Sequence, residues 1–140
     1  MYCIRKTFVA LCSLFFITDV PADTIDNYMN IANNIPKMEM QADSQSQTWA
    51  RSARNILIIA DETIAETLTQ ANETARAQGK PLFCLPPETR LDAKLLGSII
   101  LESYQKIPSN QEKDKMTVSQ VAWLGVTQRF PCGSSREARP

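Results

Sequence analysis

The stretch QSQTWARSARNILIIADETIAETLTQANETARA, residues 45–77, decides the fold class, because its apolar residues recur at steps of three and four. This spacing puts them on one face of a long helix and predicts that the face is buried. Its members are Trp49, Ala53, Ile56, Leu57, Ala60, Ile64, Leu68, Ala71 and Ala75. Gly79 follows as the predicted end of the helix, since glycine readily takes the left-handed conformation found there.

Two parts of this helix predict what surrounds it. The run ILII at residues 56–59 is apolar on all sides for one turn. It therefore either crosses the middle of the core or meets a second subunit. The acidic residues Asp61, Glu62, Glu66 and Glu73 fall on the other side of the helix, and we interpret them as a solvated face.

Three further helices are predicted around the long one, and prolines separate them. They cover residues 24–35, 90–106 and 115–129. Pro36 and Pro108 end the first two, because proline disfavours helical conformation in the residue before it. Thr89 stands three residues before Asp92 and predicts a capping arrangement at the start of the second. No segment alternates convincingly with period two, so we predict an all-α protein, a small bundle of about four helices.

The first 22 residues have the composition of a cleaved signal peptide. Two basic residues precede an apolar run at residues 7–17, and cleavage is predicted after Ala22, so that no membrane anchor remains. An uncleaved anchor is one alternative, although the run is about half of the roughly 20 residues that a spanning helix needs. A lipoprotein modified at Cys12 is another. The predicted organisation is a signal peptide at 1–22, a periplasmic helical domain at 23–132 and a flexible tail at 133–140.

Cleavage would leave two cysteines, Cys84 and Cys132. In an oxidising compartment they have one intramolecular pairing, so one disulfide is predicted. This bond would join the entrance of the helix at 90–106 to the exit of the helix at 115–129. Two free buried thiols are the alternative.

The chain contains no histidine, and this absence removes several kinds of active site. Histidine triads and histidine metal sites are excluded, and the sequence has no G-x-G-x-x-G or P-loop motif. A formal net charge of zero argues against general electrostatic binding of nucleic acid. We therefore predict a protein that is not an enzyme and uses no cofactor or metal. An enzyme that uses the carboxylates of Asp61, Glu62 and Glu66 is the alternative.

Binding of another macromolecule is the class of function that remains, and irregular polar segments are its candidate contact sites. They are the turn at residues 86–88 and the connection that follows residue 106. The candidate binding residues are Pro86, Pro87, Glu88, Ile107, Pro108, Asn110 and Glu112. Trp49 and Trp123 are interpreted as core or interface anchors rather than as stacking platforms for a ligand.

The carboxyl-terminal half resembles the Rap/Tai-type immunity proteins of bacterial type VI secretion systems. The similarity lies in GKPLFCLPP at residues 79–87, in apolar positions of the two following helices, and in FPC at residues 130–132. It implies a small periplasmic helical protein, often a dimer, whose cysteine pair is the family's disulfide. It also implies that the protein binds a secreted effector, with a peptidoglycan amidase as the expected target, and blocks its active cleft.

A second resemblance gives the alternative function. Small acid-activated helical chaperones of the periplasm also carry one disulfide, and they expose apolar surface when their carboxylates are protonated. The apolar run at residues 56–59 lies beside Asp61 and Glu62. The alternative prediction is therefore a periplasmic stress chaperone.

Overall fold

The computed structural model describes residues 24–109 and 112–133. They form four helices, α1 (Ile25–Glu39), α2 (Ser44–Ala77), α3 (Ala93–Lys106) and α4 (Val118–Arg129), with a 3₁₀ turn at Lys113–Lys115. The prediction of an all-α protein of four helices with one disulfide is confirmed. Among the described residues, no helix is both long and apolar enough to cross a membrane. The predicted signal peptide, Asn110 and the tail after Gly133 lie outside the described residues.

The long helix α2 is continuous over 34 residues, close to the predicted bounds. Its N-cap is Asp43, whose side chain accepts a hydrogen bond from the backbone N–H of Ser46 at 2.8 Å. It ends where Gly79 takes a φ of +77°. There the Gly79 N–H donates to the Arg76 carbonyl, and the Lys80 N–H donates to the Ala75 carbonyl. This pair of bonds is the Schellman motif, so the predicted role of Gly79 is confirmed.

The face of α2 that is buried is rotated around the helix axis relative to the predicted face. Its buried residues are Ala50, Ala53, Asp61, Ala65 and Asn72. Three residues of the predicted face are instead exposed: Trp49 at 40% of its surface, Ile56 at 59%, and Ala71. The prediction was wrong because it counted apolar residues alone. Two polar side chains, Asp61 and Asn72, occupy the buried face because each finds hydrogen-bond partners there.

The apolar run at residues 56–59 does not cross the core. Ile56, Ile58 and Ile59 are 59%, 49% and 66% exposed, and Leu57 alone packs against the core. The first interpretation of this run is therefore wrong, since three of its four apolar side chains have about half of their surface or more exposed.

Helix α1 passes through Pro36, where the sequence predicted its end. Proline removes one backbone hydrogen bond, and a single further turn of helix follows it. Ile35 is buried where α1 packs on α2, and Glu39 in the last turn forms an ion pair with Arg54 of α2. These contacts hold the last turn of α1 in place despite the missing bond.

The starts of α3 and α4 lie a few residues after the predicted ones. The cap of α3 is Asp92 itself, which accepts a hydrogen bond from the Leu95 N–H at 2.8 Å. The cap of α4 is a capping box that was not predicted, in which the side chains of Thr117 and Gln120 each accept a hydrogen bond from the other residue's backbone N–H. Residues 113–115, assigned in part to α4, form the 3₁₀ turn.

The core lies between α1, α3 and α4, with the buried face of α2 against it. Its largest fully buried side chains are Phe83, Ile25, Leu96, Ile99, Ile100, Val121 and Val126. Helices α3 and α4 approach closely at Gly125, where a Cβ atom would lie 2.5 Å from the Ile99 Cγ2 atom. The Ile25 N–H donates to the Met116 carbonyl at 2.8 Å, which ties the start of α1 to the segment before α4.

The predicted disulfide between Cys84 and Cys132 is present, with a Cα–Cα distance of 4.9 Å. Beside it, the Cys84 N–H donates to the Phe130 carbonyl at 2.8 Å. The bond joins the segment before α3 to the end of α4, as expected from the positions of the two cysteines. It therefore fixes the path of the chain between α2 and α3.

Candidate functional site

A cleft of about 520 Å³ opens between the second half of α2 and the connector, residues 80–92, that leads to α3. We call it the proline cleft. The α2 wall contributes Glu62, Glu66, Thr69, Gln70, Asn72, Glu73 and Arg76. The connector wall contributes Phe83, Leu85, Pro86, Pro87, Thr89, Arg90 and Leu91. The cleft thus combines an acidic helix surface with an apolar, proline-rich edge.

Asn72 holds the connector against α2. Its side chain is buried, with the residue 4% exposed. The Asn72 Nδ2 atom donates to the Phe83 carbonyl at 3.0 Å, and its Oδ1 atom accepts from the N–H groups of Leu82 and Phe83 at 2.8 and 3.1 Å. One side chain therefore provides hydrogen-bond partners for three backbone groups that lie outside regular secondary structure.

Glu62 fixes the other end of the connector. Its Oε2 atom accepts a hydrogen bond from the Ala93 N–H at 3.1 Å, at the first residue of α3. A carboxylate at a helix N-terminus is favoured both by the free N–H groups and by the helix dipole. The connector is thus held at Asn72, at the disulfide and at Glu62, so its shape does not depend on a bound partner.

The structure separates the predicted binding residues into two groups. Pro86 and Pro87 line the proline cleft, and Glu88 follows them with a φ of +64°. Ile107, Pro108 and Glu112 lie beyond the opposite end of α3. Because α3 has 14 residues, the two groups are separated by a helix about 21 Å long. They do not form one continuous surface.

Two residues of the second group, Ile107 and Glu112, already have contacts within the chain. Ile107 packs against the hydrophobic core. Glu112 has a φ of +46° and forms an ion pair with Lys115 at 2.7 Å. Pro108 is exposed. Of the two predicted contact segments, the turn at residues 86–88 is therefore the one that borders a cleft.

The proline cleft offers both polar and apolar groups to a partner. Glutamate carboxylates can accept hydrogen bonds from a partner, and proline rings offer a rigid apolar contact. Within the described residues, no group of three or more His, Cys, Asp or Glu side chains is placed to hold a metal ion. Comparison of the chain with protein-family models, curated proteins and solved structures finds no match. The role of the cleft is therefore inferred from its own residues.

Asp61 does not line the proline cleft, and its assignment to a solvated face is wrong. It is 6% exposed and borders a groove of about 550 Å³ between α1 and α3. The Tyr28 hydroxyl donates to its carboxylate, with Oη–Oδ distances of 3.0 and 3.1 Å. Gly97 of α3 packs on the carboxylate so closely that a Cβ atom there would lie 2.7 Å from Oδ2.

Burial raises the pKa of the Asp61 carboxyl to about 6, and the hydrogen bond from Tyr28 offsets part of this effect. The pKa of the Tyr28 hydroxyl is raised by burial and by the neighbouring carboxylate. Glu62 and Glu66 line the proline cleft instead. The three carboxylates considered as the active site of an enzyme therefore do not line one cleft.

Asn72 was not predicted as a site residue, and Asp61 was predicted on the wrong face of α2. A usable signal exists, since residues 61, 65, 68 and 72 follow one another at steps of four, three and four. A polar residue among these positions can be buried only when another part of the fold supplies its hydrogen-bond partner. Those partners, Tyr28 and residues 82–83, are separated from them in the sequence.

We expect Asp61→Asn to change how stability depends on pH. The folded-state pKa of Asp61 is raised from 3.8 to about 6, so its stabilising contribution is complete below about pH 4 and is lost as pH rises through 6. Raising a pKa by about two corresponds to a change of about 3 kcal/mol in the free energy of unfolding. Relative to wild type, Asp61→Asn should therefore become more stable by up to that amount between pH 4 and pH 8.

Urea unfolding at pH 4, 6 and 8 measures this effect. Asp26→Asn is the matched control, because Asp26 is an exposed aspartate of α1 that does not line the groove beside Asp61. A difference between Asp61→Asn and wild type that stays constant with pH would contradict the prediction.

Proposed function

We propose that this protein is a periplasmic immunity protein that binds and inhibits a toxic effector of a type VI secretion system, with a peptidoglycan amidase as the expected target. The observation that carries the proposal is the proline cleft, whose connector is held by a disulfide, by Asn72 and by Glu62. A surface fixed before binding loses little conformational entropy when a partner docks. The cysteine–proline pattern at residues 83–87 and FPC at 130–132 support the choice of family.

The contact is assigned to the cleft side of the molecule, at residues 86–88. A specific interface of ordinary size buries about 800 Å² on each partner, so the cleft and its rim would be the centre of a larger contact. Pro86 and Pro87 line the cleft, whereas Ile107 beyond the other end of α3 is packed into the core. The acidic α2 wall favours an effector segment that carries lysine or arginine beside apolar residues.

We expect Glu88→Lys to weaken effector binding by about tenfold or more, and Glu112→Lys to leave it within about twofold. The two residues form a matched pair, since both are exposed glutamates with positive φ, one at each end of α3. The product of the adjacent gene is the partner to test, and the proposal expects it to be a secreted peptidoglycan hydrolase. Calorimetry measures the affinity, and growth of cells that carry both proteins in the periplasm measures protection.

Three results would count against the proposal. Wild type could fail both to bind the hydrolase and to stop lysis, which would remove the immunity function. The two variants could lose affinity equally, or Glu112→Lys could lose more, and either result would move the contact away from the cleft. Circular dichroism of both variants shows whether each remains folded.

The alternative of an acid-activated chaperone is favoured by one observation, the exposure of Ile56, Ile58 and Ile59. The raised pKa of the Asp61 carboxyl opposes it, because protonation of Asp61 stabilises the folded state instead of opening it. A chaperone of this kind would bind a hydrophobic dye and suppress client aggregation near pH 2–3. A domain that stays folded and inert there would exclude the alternative.

A further inference from the structure

The groove between α1, α2 and α3 is separate from the proline cleft, since the two share no lining residue. Its volume of about 550 Å³ lies within the range of about 300–1,000 Å³ that is usual for small-ligand sites. Most of its wall is apolar, with contributions from Ile35, Leu57, Ile58 and Leu101. Ile58 and Leu101 are 49% and 37% exposed, so part of this apolar wall is open to a ligand. We call this space the Asp61 groove, because Asp61 is its buried acidic residue.

The Asp61 carboxylate has more acceptor positions than the described part of the chain fills. Its two oxygens offer about four such positions. Among the described residues, the Tyr28 hydroxyl is the one side chain that donates to them, at 3.0 and 3.1 Å. Asp61 is 6% exposed and borders the groove, so a ligand there would replace the little water that reaches it. A donor or a cation that enters the groove would therefore stabilise the charged carboxylate.

We propose that the Asp61 groove binds a small apolar primary amine, whose ammonium group pairs with the Asp61 carboxylate and whose hydrocarbon body lies along Leu57 and Leu101. An ammonium group brings a positive charge and three donors to the acceptor positions that Tyr28 leaves free. The groove continues along α2 from Asp61 to Arg54, seven residues or about 10 Å away. This length accommodates a chain of several carbon atoms.

Two positive side chains also line the Asp61 groove, and they make an apolar carboxylate the competing ligand. Arg54 already forms an ion pair with Glu39. Lys94 is exposed, so water and salt screen its repulsion of a bound ammonium. An anion would gain only a weak, solvated pair with Lys94 and would bring its charge towards Asp61. The buried carboxylate therefore favours the amine.

Binding of the amine should depend on pH, because only the ionised Asp61 carboxylate pairs with an ammonium group. With a pKa of about 6, about a tenth of the Asp61 carboxyls are ionised at pH 5 and nearly all at pH 8. The dissociation constant should therefore be about tenfold lower at pH 8 than at pH 5. The other groups along the groove that can carry charge are Tyr28 of α1, Arg54 of α2 and Lys94 of α3. Side chains of these three types keep their protonation state over this range.

Three probes of similar size test the proposal, namely hexylamine, 1-hexanol and hexanoate. Each is titrated into the oxidised protein, purified after expression of the full reading frame, and binding is followed by the NMR shifts of backbone amides. Hexylamine is expected to bind at pH 8 and to shift the amides of Leu57 and Gly97, which line the groove. Hexanol should bind about tenfold more weakly, since it lacks the charge. Hexanoate should bind more weakly still. This inference is independent of the proposed immunity function.

Two variants, each with a matched control, locate the site. Asp61→Asn should weaken hexylamine binding by about tenfold, to the level of hexanol, and remove its pH dependence. Asp26→Asn should keep both, since Asp26 is an exposed aspartate outside the groove. Ala32→Phe should weaken hexylamine and hexanol alike, because it fills the groove. Asn33→Phe places the same ring at the next, exposed position of α1 and should leave binding unchanged.

Several results would overturn the proposal. They are equal binding of hexylamine and hexanol, tighter binding of hexanoate, and full affinity in either Asp61→Asn or Ala32→Phe. Failure of all three probes to bind overturns it too, and is the result expected if another segment or another copy of the chain fills the groove. Circular dichroism checks that each variant is folded.

Discussion

Replacing Cys84 and Cys132 together by serine is expected to lower the free energy of unfolding by about 4 kcal/mol. The two residues are 48 positions apart, and the bond restricts the unfolded chain by closing that loop. A loss of this size is a large share of the roughly 5–15 kcal/mol that stabilises a domain. The connector between α2 and α3 should loosen first, because the bond fixes one side of it.

Guanidinium unfolding of the oxidised wild type and of Cys84→Ser/Cys132→Ser measures the loss. A reducing agent provides the control, since it should shift the wild type to the midpoint of the variant and leave the variant unchanged. If reduction leaves the wild type at its oxidised midpoint, the disulfide does not carry the stability assigned to it here.

Asn72→Ala is expected to cost about 3–5 kcal/mol, an effect comparable with that of the disulfide. The change removes the partner of three backbone groups, the N–H groups of Leu82 and Phe83 and the Phe83 carbonyl. A buried backbone group left without a partner costs about 1–3 kcal/mol. The loss should also reach the proline cleft, because Phe83 belongs to its wall.

Asn55→Ala is the matched control for this change, since Asn55 is an exposed asparagine in the same helix. Its effect should stay within about 0.5 kcal/mol, the usual range for a surface substitution. Urea unfolding of the two variants gives the comparison, and hydrogen exchange at the amides of Leu82 and Phe83 locates the loss. Equal stability of the two variants would show that Asn72 does not hold the connector.

The helices could be predicted because their signals are local. The three–four spacing over residues 45–77 and the glycine at 79 define α2 almost completely, since both depend on neighbours along the chain. The predicted start of α4, at residue 115, lies three residues before the observed one, because Lys115 belongs to the 3₁₀ turn that precedes the helix. Thr117 and Gln120, which cap it, carry a local signal that sequence alone could have found.

The site could be predicted only in part. Pro86 and Pro87 were selected as polar-turn residues, and they do border a cleft. The cleft itself depends on Asn72, and its hydrogen bonds to residues 82–83 require the chain to turn back after Gly79. Asp61 was misplaced for the same reason, because its partner Tyr28 comes from another helix. Residue type alone does not reveal such distant partners.

The position of Cys132 after the last helix sets an order of events as the chain emerges during synthesis. A chain that emerges amino end first presents Cys84 well before its partner. Until α4 has also emerged, oxidation cannot close the loop, and Cys84 is open to pairing with the wrong thiol. Asn72 needs only residues 82 and 83, about ten positions further on, so its hydrogen bonds can shape the bend early. A brief local contact can therefore guide a covalent bond that forms last.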